Sequence, residues 1–448
     1  MNKNYKKTIF SWSMYDFANQ PFTTLVVTFI YSTYFTQAIA PDEITGTMLW
    51  SRGITITALF VAFLSPLMGA VADQGGYRKV SLIFWTWVCI IGSVMLYYPL
   101  PGEIYKALTW FVIANIGFEM GSVFCNAYLP NIAPKEKIGR VSGYGWSLGY
   151  VGGLASLVIA LFLFINPEIP AFGFSTIDGE NIRATNLLVA LWFAVFSIPT
   201  FMWLKDRKVE EKISKQLIKS SYARIRTTFR EIRKYKQISR FLIARILYND
   251  GLITIFSFGG IYAAGTFGFT FTEIMIFGIV LNVTAGLGAF LLGFLDDKIG
   301  GKTTIQISNV GLIIACIIAV LVPNKDLFNM QIPMMEYSIM ISGKTLFWFS
   351  GILIGIFSGP NQASSRSLMA RFVPEEKTNE FFGFFAFSGK ATAFVGPMLL
   401  GFLTQAFGSQ RFGVAVVAIL IFAGAWVLHG LDEEEGMKAA SDSNSIYE

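Results

Sequence analysis

The chain has 448 residues, of which 54% are hydrophobic and only 14% charged, against about 25% charged in a soluble globular domain. Aromatic residues make up 16%, with 43 Phe and a single His, and the net charge is +6. This composition excludes a disordered chain, a disulfide scaffold and an ordinary soluble enzyme, and leaves a polytopic membrane protein.

A membrane-spanning helix needs about 20 mostly apolar residues. Twelve such segments are predicted, at residues 12–38, 52–72, 80–98, 105–130, 141–165, 186–204, 239–265, 273–295, 304–322, 346–370, 381–406 and 411–430. The first imitates a secretory signal, with Lys3, Lys6 and Lys7 before an apolar run and Ala38-Ile39-Ala40 after it. The run is too long for such a signal and Pro41 would follow the cut, so it reads as an uncleaved membrane helix. Connections are short except at 166–185, 205–238 and 323–345.

Between Lys205 and Arg240 there are 13 Lys/Arg against 4 Asp/Glu. This one loop exceeds the surplus of the whole chain, so the positive charge does not imply nucleic acid. Within it Ile218, Tyr222, Ile225, Phe229 and Ile232 recur at helical spacing, with Arg224, Arg226, Arg230, Arg233 and Lys234 on the other faces. The pattern predicts an amphipathic helix held on the membrane surface by anionic headgroups; a protein partner is the alternative. The acidic tail, Asp432 to Glu448, is expected to be disordered. Lys and Arg number 26 in the segments assigned inside and six in those assigned outside, which predicts both termini in the cytoplasm. Cys89, Cys125 and Cys316 lie in apolar runs without metal-ligand spacing, so neither a disulfide, a metal nor a cofactor is expected.

The strongest pattern is a repeat. Gly69, Asp73, Gly76 and Arg78, the last followed by Lys79, recur in type as Gly293, Asp297, Gly300 and Lys302, 224 residues later. Pro134, Glu136, Lys137, Gly143 and Gly149 recur at an offset of 240 as Pro374, Glu376, Lys377, Gly383 and Gly389. Tyr15-Asp16 echoes Tyr248-Asn249-Asp250. The predicted fold is therefore an all-α membrane protein of twelve transmembrane helices in two parallel six-helix halves, one of the transporter plans. The halves are residues 1–204 and 239–431, joined by the basic linker 205–238 and followed by the tail 432–448.

On these motifs the chain resembles the Major Facilitator Superfamily, although Tyr77 stands where that family usually has a second Arg. The segments Ser11-Trp12-Ser13-Met14-Tyr15-Asp16 and Ser142-Gly143-Tyr144-Gly145-Trp146 resemble the branch named after the autophagy-related vacuolar amino-acid effluxer. The resemblance implies that the Gly69–Lys79 and Gly293–Lys302 segments latch the halves on the inner side, and it implies amino-acid export as a hypothesis.

Ionisable residues within spans are candidates for function because each is costly in a bilayer. They are Asp16, Glu119, Arg245, Asp250, Arg366 and Lys390, three acids and three bases. Asn115, Glu119, Ser122 and Asn126 form one helical stripe. Glu119 reads as a proton or substrate site, or else as a structural acid bonded to a neighbouring helix. Asp16, Asn19 and Thr23 form a second stripe with Gln20 beside it, and Pro21 should free a backbone carbonyl there. Arg366 follows Asn361, Gln362 and Ser365. A zwitterion fits these residues, with its ammonium toward Asp16 or Glu119 and its carboxylate toward Arg366 or Arg245. The competing reading is a set of salt bridges closing an inner gate. Gly145, Gly149 and Gly153 predict close helix packing, with Gly286 and Gly288 of the eighth helix as the expected partner.

Gly301-Lys302-Thr303 does not complete a phosphate loop, since Asp296 stands where that loop needs its first glycine. The expected function is a gradient-driven, proton-coupled transporter of a small polar solute, most simply an amino acid moved outward. The protein is expected to be a monomer in a bacterial inner membrane. An exporter of amphipathic compounds or an uptake permease for sugars or peptides is the rival within transport; a non-transporting receptor or scaffold is the rival outside it.

Overall fold

A computed structural model of the chain describes residues 3–206, 215–231, 235–323, 326–332 and 337–445. Twelve long helical stretches follow one another among these residues. The first runs from Lys3–Pro21 through the π-helical Phe22–Phe29 to Ile39; the next five are Glu43–Gly75, Arg78–Met95, Ile104–Asn126, Ile138–Ala160 and Glu180–Phe196 with Ile198–Trp203. The seventh to tenth are Lys236–Phe267, Phe271–Ile299, Gly301–Leu321 and Gly343–Phe372. The eleventh comes in two pieces, Thr378–Lys390 and Val395–Phe407, and the twelfth is Gln410–His429. Ten are long and apolar enough to cross a membrane. The other two, the first and the tenth, carry the polar runs around Asp16 and Arg366.

Pro21 sits inside the first helix, where it has no N–H to give the carbonyl four residues back. That carbonyl, on Phe17, accepts instead from the indole N–H of Trp192 at 3.1 Å. The helix then relaxes into π geometry over Phe22–Phe29.

Each repeated aspartate reaches the start of a helix in the other six-helix set. The Asp73 carboxylate accepts from the backbone N–H groups of Asn379 at 3.1 Å and Glu380 at 2.8 Å, and from the Asn379 side chain at 2.6 Å. Asp297 accepts from the backbone N–H of Arg140 at 3.2 Å and pairs with its guanidinium. Asp73 and Asp297 are 224 residues apart, and Arg140 and Glu380 are 240 apart, so these are two copies of one contact. Carboxylates at helix N-termini gain from the exposed N–H groups there. Gly76 and Gly300 close the preceding helices at φ 72° and 88°, where a side chain would be strained. Gly69 packs on the Asn379 carbonyl and Gly293 on Arg140, with no room for a Cβ at Gly69.

Among the described residues, Arg78, Lys79 and Lys302 form no ion pair with these aspartates. Arg78 donates to Asn131 Oδ1 at 2.7 Å and lies over the Tyr128 ring. Lys79 donates to Asp206 through its backbone and to the Leu204 carbonyl through Nζ. Lys302 gives its backbone N–H to Glu433.

Two expectations are corrected, and one connection gains a structure of its own. The tail is helical over Glu433–Ser445: Glu433 caps the ninth helix through Gly301 and Lys302 at 3.0 Å, and Gln237 bonds both the Asp432 N–H and the Glu435 carboxylate. Its acidic first turn thus finds helix-terminal donors that composition could not reveal. The stripe Gly145, Gly149 and Gly153 faces Asp16, Gln20 and Thr24 of the first helix rather than the eighth. The eighth meets the fifth one face away, where Gly143 abuts the Ala289 carbonyl and Gly286 abuts Tyr150, while Gly288 packs on Ile356 of the tenth. The 323–345 connection contains an antiparallel hairpin, Asp326–Ile332 with Tyr337–Ser342.

The linker forms a helix over Lys215–Glu231; Ile232 of the predicted stripe and Arg233 and Lys234 of its basic faces lie outside the described residues. Its Ser220 and Ser221 hydroxyls donate to Gln74 at 3.0 and 2.9 Å, and Lys377 donates to Thr228 at 3.3 Å. Tyr222 is exposed. The hydroxyl face of the linker therefore lies across the Asp73 latch, touching the second helix and the turn before the eleventh.

Candidate functional site

Above the latches, the charged residues of the spans meet across the two helix sets. Arg366 is almost fully buried. Its Nη1 donates to Asp16 Oδ2 at 2.8 Å and to Asn126 Oδ1 at 3.0 Å. Its Nε donates to Ser142 Oγ at 2.9 Å and its Nη2 to the Ser142 carbonyl at 2.7 Å. The guanidinium also lies 4.6 Å from the Trp12 ring centre and 5.7 Å from that of Trp146, a geometry that favours a cation over an aromatic face. The planar fork of Arg is used in full, with each nitrogen committed. Asn126 and Arg366 are separated by the 240-residue repeat offset. Two repeat-related residues that touch each other lie beside the axis relating the repeats.

Gly145 makes the pair possible. A Cβ there would meet the Asp16 carboxylate and Arg366 Nη2. Trp12 is fixed by its own N–H, which donates to the Cys125 carbonyl at 2.8 Å.

A second pair lies nearby in the fold. Lys390 Nζ is 2.7 Å from Glu119 Oε1, with side-chain exposures of 32% and 18%. Both groups are therefore partly solvent-accessible while remaining paired. Arg245, seventh helix, is held differently: Nη1 donates to the Phe385 carbonyl at 2.7 Å and to Ser388 Oγ at 2.8 Å, and the group lies 3.7 Å from the Phe385 ring centre. Glu119 and Asp250 are the acids nearest to it. Asp250 is buried, and its neighbour Asn249 donates to the Gly389 carbonyl at 3.1 Å.

The structure thus brings Asp16, Asn126 and Arg366 into one cluster and Glu119, Lys390, Arg245 and Asp250 into the neighbourhood of another. Asn19 and Asn115 are buried on the first and fourth helices, and Gln362 is half-buried. Asn361 points elsewhere, donating to Asn309 Oδ1 at 2.8 Å on the ninth helix.

Trp12, Ser142 and Trp146 belong to the segments that carry the family resemblance, but nothing in the sequence singles them out as partners of Arg366. Arg371 pairs with Asp296 at 2.6 Å and with Glu433 at 3.4 Å, while Ser367 donates to Asp296 at 2.6 Å. Asp296 stands beside the repeated Asp297 in the sequence, the one signal that marks this cluster.

A family model described as vacuole effluxer Atg22 like matches residues 43–441. The chain belongs to that family. Its relatives include an uncharacterized MFS-type transporter of Bacillus subtilis, 26% identical over 100% of both chains. Autophagy-related protein 22 of Yarrowia lipolytica is 21% identical, over 89% of this chain and 78% of that one. Among solved structures, the Major Facilitator Superfamily transporter FucP in its outward conformation aligns with TM-score 0.72 at 12% identity, over 96% of this chain and 100% of that one. The proton:xylose symporter XylE aligns with TM-score 0.68 at 14% identity, over 99% of each chain. At such identities the solved structures establish the fold alone. This Atg22-like chain is a multi-pass membrane protein with the Major Facilitator fold, a secondary transporter by family and not an enzyme.

Proposed function

We propose that this protein moves a zwitterionic small solute, an amino acid in the simplest case, by alternating access between two six-helix halves. The observation that carries the reading is the doubled ion pair across the halves, Asp16–Arg366 and Glu119–Lys390. Pulling the halves apart separates both pairs, and for the more deeply buried one, Asp16–Arg366, leaving either charge without its partner is costly. A solute that inserts must supply both a cation for an acid and an anion for a base. A zwitterion does so with one molecule; a neutral sugar cannot.

The latches at Asp73 and Asp297 join the halves at the end that carries the tail helix, so the conformation described is closed there. The cycle consists of solute exchange at the paired charges and release of the latches in turn. Outward movement, coupling to protons and a bacterial inner membrane complete the proposal, supported by the effluxer name of the family and by the full-length bacterial relative.

The test is flux in proteoliposomes holding the purified protein. Labelled amino acids, a labelled sugar and a labelled organic cation are compared with and without an imposed pH gradient. Amino-acid flux that the gradient alters is expected. Flux of the sugar or the cation alone would sink the zwitterion reading.

A further inference from the structure

We propose that Asp250 holds a proton in the latch-closed conformation and is the group through which a proton gradient couples to transport. The inference rests on the transport reading and makes it more specific, since Glu119 is the acid that the helical stripe alone would select.

Charges around the centre fall into pairs with one acid and one base left over. Asp16 is matched by Arg366 and Glu119 by Lys390, each within ion-pair distance. The remaining acid and base are Asp250 and Arg245, on one helix. Were Asp250 ionised, Arg245 would be its counter-charge. Arg245 instead gives Nη1 to two neutral acceptors on the eleventh helix, the Phe385 carbonyl and Ser388 Oγ, and rests on the Phe385 ring. Among the described residues Asp250 is in no ion pair. Only 2% of it is exposed, and its Oδ1 and the Thr392 Oγ1 are both buried without a well-formed hydrogen bond. A buried carboxylate without a partner is far costlier than the neutral acid.

The groups facing Asp250 are few. On its own helix Arg245 is the charge that reaches it, and across from it stands the Thr392 hydroxyl. Thr254 returns its hydroxyl to the Asp250 carbonyl at 2.7 Å. The twelfth helix presents Val417 and Ile421 at the adjoining Gly251, and Gly396 of the eleventh packs against Thr254. On the tenth helix Ser365 is taken by the Tyr248 hydroxyl at 2.7 Å.

The eleventh helix is interrupted at this point. Its two pieces end at Lys390 and resume at Val395, so Lys390 and Thr392 sit at the break. Broken membrane helices are the places where backbone can rearrange around a bound ion. Loss of the proton from Asp250 leaves a carboxylate beside this break that demands a cation. Arg245, which is bound to the eleventh helix, and Lys390, which is bound to Glu119 of the other half, are the two at hand. Drawing either one toward Asp250 loosens the contact it now makes.

The test reads the proton directly. Infrared difference spectra of the purified full-length protein, taken across a pH titration, report carboxylic acids by their C=O stretch. A band that disappears as pH rises is expected in the wild type and in Glu119→Gln, and should be missing in Asp250→Asn. Thr392→Val, which removes the facing hydroxyl, should move the pH at which the band disappears. In proteoliposomes Asp250→Asn should lose the stimulation that an imposed pH gradient gives. A band unaffected by Asp250→Asn, or one lost in Glu119→Gln instead, would overturn the assignment, as would gradient stimulation retained in Asp250→Asn. The band is read without any solute, so failure of the transport reading and failure of the Asp250 assignment are told apart.

Discussion

Arg366 is the residue on which the central cluster turns, because its three nitrogens serve Asp16, Asn126 and Ser142 at once. Lys carries a single ammonium and cannot reproduce a planar fork. Arg366→Lys should therefore lower transport by about tenfold or more, equivalent to about 1.4 kcal/mol, and Asn126→Ala by less, measured as initial flux in proteoliposomes. Gly145→Ala tests the same pair from the other side: its Cβ falls on the Asp16 and Arg366 groups, so the variant should lose transport although the change is one methyl group. Equal flux in wild type and Gly145→Ala would show that the pair is not needed. The acid and base inventory was legible in the sequence, because charges within apolar runs stand out. The assignment of Asp16 to Arg366 and of Glu119 to Lys390 was not, because it depends on how deeply and at what rotation each helix sits.

At the scale of elements, the tail helix is the instructive case. Glu433 occupies the N-terminus of the ninth helix and also touches Arg371, which pairs in turn with Asp296. Asp297, next to Asp296, binds Arg140 in the other half. The tail is thus the outer end of a chain of charges that reaches one latch. Removing residues after Leu431 should lower the melting temperature of the detergent-purified protein, and Glu433→Gln in the full chain should lower it by less, because an amide oxygen still accepts from the Gly301 N–H. An unchanged melting temperature on truncation would mean that the tail merely rests on the bundle. A disordered tail was the sequence expectation because acidic, aromatic-poor segments bury little surface alone. The donors that order it, Gln237 and the ninth helix terminus, lie about 130 to 200 residues earlier in the chain.

At the scale of the molecule, the duplicated latch governs which side is closed. Asp73→Asn and Asp297→Asn each keep the shape of the side chain and remove its charge, which weakens both the helix-terminal bonds and the Arg140 pair. The double variant should populate the conformation open at the latch end. A cysteine placed at Ser364, buried in the tenth helix, should then be labelled by a water-soluble maleimide several-fold faster than in the latched protein. Cys89, Cys125 and Cys316 are buried, so background labelling should be low. Labelling rates that do not differ would leave the aspartates as packing elements with no part in the cycle.

What the chain alone determines is its class and plan. Hydropathy counts helices, and the repeated Gly, Asp and Gly positions announce two related halves, because both signals are local or depend only on separation along the chain. The tertiary structure decided what faces what. It showed that the glycine stripe receives the first helix, that Pro21 hands its orphaned carbonyl to Trp192, that the tail caps the ninth helix, and that the repeated aspartates grip helix N-termini rather than their neighbouring bases. Each of these is a pairing between groups distant in sequence. Such pairings follow from the rotation and depth of packed helices, which no single helix encodes by itself.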